Sequence, residues 1–429
     1  MKVQGLPGFR DFYPEETALR NHIFAVWRDV AQRYGFQEYE GPPMEPLELY
    51  VKKSGEEIVG QLYTFEDKGG RQVALRPEMT PSLARMVAAR SQALKKPIRW
   101  FSIPQLLRYE RPQRGRLREH YQLNMDIIGE SGPLADAELI AATIDIMRTC
   151  GLNANDVKAR ISDRRIVRAL LDGHGLSEEQ APEAFAHIDK LERSRRETLV
   201  DSMVKATGLT PVAANEVLSI GEIKGLEAVE EALAASPSGG DAGEGLTECV
   251  RALEAMGLGD FVEVDLGIVR GLAYYTGIVF ELFDCAGSLR AICGGGRYDG
   301  LLSALGGVDL PAIGFGMGDV VLGELLRDRD LLPDQTRQVD VFLVAVTGED
   351  TPHVLGLGQR LRQRGLRVEY ALRQQSIAKQ LKLAAARPAK YAVICGPDER
   401  ESGEAVVRDL AAGTEEKVAI ESLENVLMD

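Results

Sequence analysis

The feature that most restricts the fold lies late in the chain, where short apolar runs and amphipathic stretches take turns. "VDVFLVAV" (339–346) precedes a helical pattern at about 352–364; "RVEYA" follows, then a helical pattern over 376–386, then "YAVICG". Such a β-α-β-α-β order demands a parallel sheet, because parallel neighbours can be joined only by a crossover of about helix length. The segment before it, "RDRDLLPDQTRQ" (327–338), is polar and proline-marked and reads as a linker. At 429 residues the chain is too long for one ordinary core. The expected division is therefore a first domain over 1–326, a linker over 327–338 and an α/β domain over 339–429.

Ahead of the linker the periods are mixed. Leu19, Ile23, Val26, Trp27 and Val30 recur at helical spacing and stop at Gly35. Short strand signals follow up to Arg76, then a helix at 80–94. "PIRWFSIPQLLRYE" and "LREHYQLNMDIIG" alternate like two strands joined by a turn at 113–115, a hairpin. A helix ends at Gly151, residues from about 152 to 262 read as mostly helical, and strand signals return at "FVEVDLGIV", "TGIVFELF" and "LRAICGGGRY". The expected architecture is α+β: an antiparallel sheet flanked by helices, interrupted by a helical insertion, then the C-terminal α/β domain.

Composition removes several classes. A hydrophobic share of 45% with 27% charged residues is that of a globular chain, and no apolar run approaches the roughly 20 residues a bilayer span needs. The start "MKVQGLPGFRDF" has no apolar secretory core, so the cytoplasm is the expected compartment, with an organelle matrix as the alternative. Cys150, Cys249, Cys285, Cys293 and Cys395 form no C-x-x-C pair and are expected as buried free thiols. The five histidines are scattered, so no metal site is expected.

Against a net charge of -14, "LLRYERPQRGRLREHYQLNMDIIG" (106–129) gathers Arg108, Arg111, Arg114, Arg116 and Arg118. Read as a strand, this arm projects Arg116 and Arg118 to one face. Guanidinium forks grip phosphate through paired donors, so a polyphosphate such as ATP fits; a solvated hairpin with carboxylate partners fits as well. In "RPEMT", Glu78 stands just before a helix, as a site carboxylate or a cap. "VRGLAYYTGIVFE" puts Arg270, Tyr274 and Tyr275 near a strand edge, and "CGGGRYDGL" carries Gly294–Gly296, a close backbone approach or a tight turn.

In order and spacing these motifs resemble the class II aminoacyl-tRNA synthetases, closely the histidyl-tRNA synthetase family, and the likeness runs nearly end to end. "GFRDFYPEE" is similar to the family's N-terminal signature, "PPMEPLELYVKKSGE" to motif 1, "LRYERPQRGRLREHYQ" to motif 2, and "RGLAYYTGIVFE" to the histidine motif. "GGGRYD" and the C-terminal α/β domain also fit, the latter resembling an anticodon-binding domain. The resemblance implies a class II fold and a two-step ligase reaction. Histidine and ATP, as its magnesium complex, would give histidyl-adenylate, and the acyl group would pass to the 3′ end of tRNA(His). No tightly bound cofactor is expected, and motif 1 implies a homodimer.

Carried over by position, Arg108 would hold the α-phosphate, Glu110 the adenine, and Arg116 and Arg118 the rest of the nucleotide. Glu78, Thr80, Gln122 and Asp126 would hold the amino group and imidazole of histidine, with Tyr274 and Tyr275 closing over the ring. Arg270 would neutralise carboxylate and phosphate charge. Gln113 and Arg114 at the hairpin tip would meet the acceptor end of tRNA. Three positions depart from the family pattern: Asp126 stands for glutamate, Ala273 for aspartate, and Val321 for the motif 3 arginine that grips the nucleotide. Either another cation replaces that arginine or ATP activation is impaired. In the last domain, nine basic residues face one acidic residue over 357–390. They include Arg360, Arg364, Lys379 and Lys382 and suit the tRNA phosphates. Two other readings share some of these features: a silent histidine-binding regulatory subunit of ATP phosphoribosyltransferase, and an adenylating ligase with a non-tRNA acceptor.

Overall fold

The computed structural model describes residues 4–54, 56–269, 274–287, 289–332 and 339–428, with the side chains at 52–54 and 56–58 outside that set. The chain falls into two compact units that divide between Leu332 and Pro333.

The first unit is built on a nine-stranded, mostly antiparallel sheet. Its central strands lie in the order Ile98–Ser102, Glu119–Ile128, Ala312–Gly318, Cys293–Arg297, Ile278–Asp284 and Val157–Asp163. Alternation along these strands sorts residues onto two faces. Leu123, Met125 and Ile127 share a buried core with Ile313, Phe315 and Met317 and with the helices Pro14–Arg33 and Pro133–Thr149. On the other face, the helices Thr80–Arg90 and Leu301–Gly306 cover Ile98, Ile128 and Ala312 at one end. Past that cover, His120 and Gln122 of Glu119–Ile128 line a cavity.

Four expectations need correction here. The segment expected to be helical from 152 begins with a strand, Val157–Asp163, paired in full with Ile278–Asp284; only from Arg164 does the insertion become helical. The arginine-rich loop is not strand either. Pairing stops at Leu107 and resumes at Glu119, and the turn is held by an isolated bridge between Gln113 and Arg116, with Gly115 at φ 71°. The first unit runs past 326: the helix Asp319–Asp328 continues, and Arg329 pairs with Asp284 at 2.7 Å. Finally, Cys285 is exposed, while the other four cysteines are buried.

The second unit has a five-stranded sheet in the order Val368–Tyr370, Val339–Ala345, Ala389–Cys395, Glu404–Asp409 and Glu415–Ala419. The first three are parallel, as the β-α-β-α-β pattern requires. Apart from Asp340 near its start, Val339–Ala345 is apolar because it is buried on both faces, Val341 and Leu343 on one and Phe342 and Val344 on the other. The last two strands are antiparallel. Their charged, solvated sequence gave no strand signal. Among the described residues no helix is long and apolar enough to cross a membrane.

Candidate active site

Three glycines of Ala312–Gly318 pair with three polar residues of Glu119–Ile128: Gly314 with Asp126, Gly316 with Asn124, and Gly318 with Gln122. Directly opposed residues share a face, so these glycines leave room for the side chains beside them. A methyl group at Gly314 would stand 2.0 Å from Asp126 Oδ1, and one at Gly316 would stand 2.8 Å from the Gln122 carboxamide. The two functional groups thus lie over positions two residues apart on a neighbouring strand, about 7 Å. An amino acid with a ring side chain spans that length. Gly296 pairs with Gly314 on the next strand and packs against Tyr275. The glycine run is a strand in close approach, not a turn.

Asp126 is buried and accepts a hydrogen bond from the Tyr298 hydroxyl. Burial and then the Asp126 charge push Tyr298 well above its ordinary pKa, so it remains a donor. Tyr274 meets Tyr298 edge-on at 6.2 Å and Tyr275 at 4.9 Å. The Tyr39 hydroxyl is buried with no hydrogen bond among the described residues, and it too is raised by burial and by Asp126. This aromatic end suits a small planar polar group.

The open end of the same face is a cavity of about 940 Å³ lined by Arg108, Glu110, Arg116 and Gln122. Arg108 Nε donates to the Pro77 carbonyl at 2.9 Å, which ties the arginine loop to the segment carrying Glu78. Glu78 and Thr80 are half-buried at the start of Thr80–Arg90, and the N-cap is Met79, so Glu78 is not the cap. Arg116 forms a bidentate pair with the Glu110 carboxylate. Arg118 donates to the Glu110 carbonyl at 3.0 Å and stacks on Tyr109 at 4.3 Å. Arg116 and Arg118 therefore converge on Glu110 through a loop rather than through strand alternation. Arg118 does not line the cavity.

Other expected residues sit elsewhere. Gln113 and Arg114 are exposed at the loop tip, where Arg114 pairs with Glu324 and Asp328, both at 3.3 Å. Arg270 and Ala273 lie outside the described residues. In the second unit, Arg360 and Arg364 share Glu424 at 3.2 and 2.6 Å. Lys379 and Lys382 are exposed on the helix Ile377–Ala386, without an ion pair among the described residues. Likewise, among the described residues no three His, Cys, Asp or Glu side chains converge to hold a metal.

Two cavity residues were missed. His120 shares the face of Gln122 and Asp126, as its spacing along the strand allowed one to infer. Burial, then Arg108, Arg10 and Arg116, push its imidazole down to about 3. It is therefore neutral at physiological pH and offers one donor and one acceptor. Arg290, in the loop before Cys293–Arg297, also lines the cavity. No motif marked it.

The chain matches the family model described as histidyl-tRNA synthetase over residues 8–318, and that of an anticodon binding domain over residues 340–429. It is 46% identical to the histidine–tRNA ligase of Opitutus terrae, over 99% of this chain and 98% of that protein. It is 40% identical to the chloroplastic/mitochondrial histidine–tRNA ligase of Arabidopsis thaliana, over 97% and 85%. Among solved structures, the histidyl-tRNA synthetase of Nostoc sp. PCC 7120 superposes with a TM-score of 0.85 at 26% identity, covering 100% of this chain and 99% of that one. A Bacillus halodurans protein described as an ATP phosphoribosyltransferase regulatory subunit/histidyl-tRNA synthetase superposes at 0.75 and 25% identity, covering 92% and 99%. With the family model matched over residues 8–318 and a 46% identical relative aligned over 99% of the chain, the chain belongs to the histidyl-tRNA synthetase family.

Proposed function

We propose that this protein is a histidine–tRNA ligase that forms histidyl-adenylate from histidine and ATP and transfers the histidyl group to tRNA(His). The observation that carries the reading is one continuous face with an amino-acid-sized end, at Asp126 and Gln122, leading into an arginine-lined cavity. A histidine carboxylate oxygen attacks the α-phosphorus, the bond to the bridging oxygen breaks, and pyrophosphate leaves with its magnesium. A terminal ribose hydroxyl of tRNA then attacks the acyl carbon, and AMP leaves.

In this reading Asp126, fixed by Tyr298, receives an imidazole N–H, and Tyr274 and Tyr275 enclose the ring. Glu78, Thr80 and Gln122 take the α-amino group. Gly314, opposite Asp126, carries no side chain that would crowd its carboxylate. Arg108 faces the α-phosphate, where charge develops in the transition state. Glu110, held between Arg116 and Arg118, is placed for the adenine amino group, and Arg270 for the carboxylate and phosphate.

Histidine-dependent ATP–pyrophosphate exchange, tried with each amino acid separately, tests the first step. Exchange with histidine alone is the expected result. Histidine binding without exchange would favour the silent regulatory subunit instead. The full-length second unit and the unbroken arginine loop weigh against that alternative. A non-tRNA acceptor would leave the basic surface of the second unit without a role.

Lys379 and Lys382 are the cations of that unit with no carboxylate to neutralise them among the residues assigned to tRNA, so we assign them to phosphates of tRNA. Reversing both to glutamate should raise the KM for tRNA by about tenfold or more and flatten its salt dependence, with exchange unaltered. An unchanged tRNA KM would remove the assignment. The reading also carries a cytoplasmic homodimer formed through motif 1, and sedimentation at micromolar concentration should find two chains per particle.

A further inference from the structure

Five of the seven basic side chains that line the cavity already have a carboxylate. Arg116 has Glu110, Arg160 has Glu192 at 2.7 Å, and Arg193 has Asp189 at 3.0 Å. Arg196 has Glu222, and Lys224 has Asp265 at 2.9 Å. That leaves two. Arg108 is oriented by the Pro77 carbonyl toward the amino-acid end. Arg290 has neither an ion pair nor a hydrogen bond among the described residues.

The position of Arg290 is informative. A methyl group placed on Gly115, at the turn of the arginine loop, would lie 3.5 Å from Val321 Cγ2 and 3.8 Å from Arg290 Cδ. The arginine stem and the valine therefore both lie close to the loop tip, at the opposite end of that loop from the Arg108 contact. Its charged neighbours are Arg116 and Arg193, which repel it, and Glu110 and Glu281, which attract it. Burial and Arg116 together lower its pKa, yet a guanidinium stays protonated at any physiological pH. A cation held beside like charge, with no partner of its own, is stabilised when an anion arrives.

A nucleoside triphosphate bound with its α-phosphate at Arg108 brings its remaining charge along this loop. We propose that Arg290 binds the β- and γ-phosphates of ATP, supplying from a neighbouring loop the positive charge that Val321 cannot. The assignment rests on the ATP-dependent reading above and names a residue outside every motif of that reading. It also explains why a neutral side chain is tolerated at Val321: Arg290 reaches the same loop tip and carries the charge there.

Calorimetric titration of Arg290→Gln with ATP–magnesium and with AMP separates this role from a structural one. ATP affinity should fall by roughly 10- to 100-fold, the size of one charge-assisted contact, while AMP affinity stays within about twofold. Arg290→Lys should recover part of the loss, and so should Val321→Arg added to Arg290→Gln. In pyrophosphate exchange the KM for ATP should rise by a similar factor with the KM for histidine unchanged. Equal losses of ATP and AMP, or ATP affinity within about twofold of the parent protein, would overturn the assignment. A parent protein that binds ATP in an Arg290-dependent way but shows no histidine-dependent exchange would uphold Arg290 and reject the ligase reading.

Discussion

Arg108→Ala is expected to lower histidine-dependent pyrophosphate exchange by about 10²- to 10³-fold, the usual loss when one preorganised donor to a developing charge is removed. The effect should fall on kcat more than on the KM for ATP, because the guanidinium is aimed at charge that grows during the attack on phosphorus. Its aim is set before substrate arrives: Nε is fixed on the Pro77 carbonyl, and the backbone N–H donates to the Arg118 carbonyl at 2.8 Å. Arg108→Lys should recover little, since an ammonium cannot hold both the carbonyl and a phosphate through one planar fork. The fold should be untouched, as the side chain is only half-buried. Exchange within about threefold of the parent would show that the α-phosphate lies elsewhere.

The second large effect is on stability. Arg297 closes the glycine strand and is buried with Asp136 at the start of Pro133–Thr149, their side chains exposed by 5% and 1%. The same guanidinium donates to the Glu130 carbonyl at 2.9 Å and the Gly132 carbonyl at 3.2 Å. Burial pushes the Asp136 carboxyl up to about 6 even beside the arginine. At neutral pH its charge therefore depends on Arg297. Arg297→Met leaves a buried carboxylate unpaired and two carbonyls without donors, which should cost about 3–5 kcal/mol. Urea unfolding followed by tryptophan fluorescence reports on this unit alone, because both tryptophans, Trp27 and Trp100, lie in it. Adding Asp136→Leu to Arg297→Met should restore much of the loss. If the single variant lost less than about 1 kcal/mol, the ion pair would not be what joins that helix to the sheet.

How much of this was legible beforehand differs from element to element. The helix Pro14–Arg33 and the strand Val339–Ala345 were readable because their burial is dictated by their own periodicity. The strand Val157–Asp163 was not. Its alternation is short, and it sits at the edge of a long Ala- and Glu-rich helical region whose pattern dominates any window drawn across it. The arginine loop was recognised by composition and misread in geometry. Strand periodicity was extended past Leu107 and Glu119, where the regular ladder ends.

For the site, Gln122 and Asp126 were placed correctly on one face, since a period of two leaves no other choice once the strand is granted. What the sequence alone determined is thus the faces: which side chains of a strand travel together. Only the tertiary structure decided which charges remain available. Glu324 and Asp328 claim Arg114 from more than 200 positions away, Glu424 claims Arg360 and Arg364, and Val321 from a helix and Arg290 from a loop both come up to Gly115. Neutralisation depends on distances of a few ångströms between residues remote in sequence, and no local period records such distances.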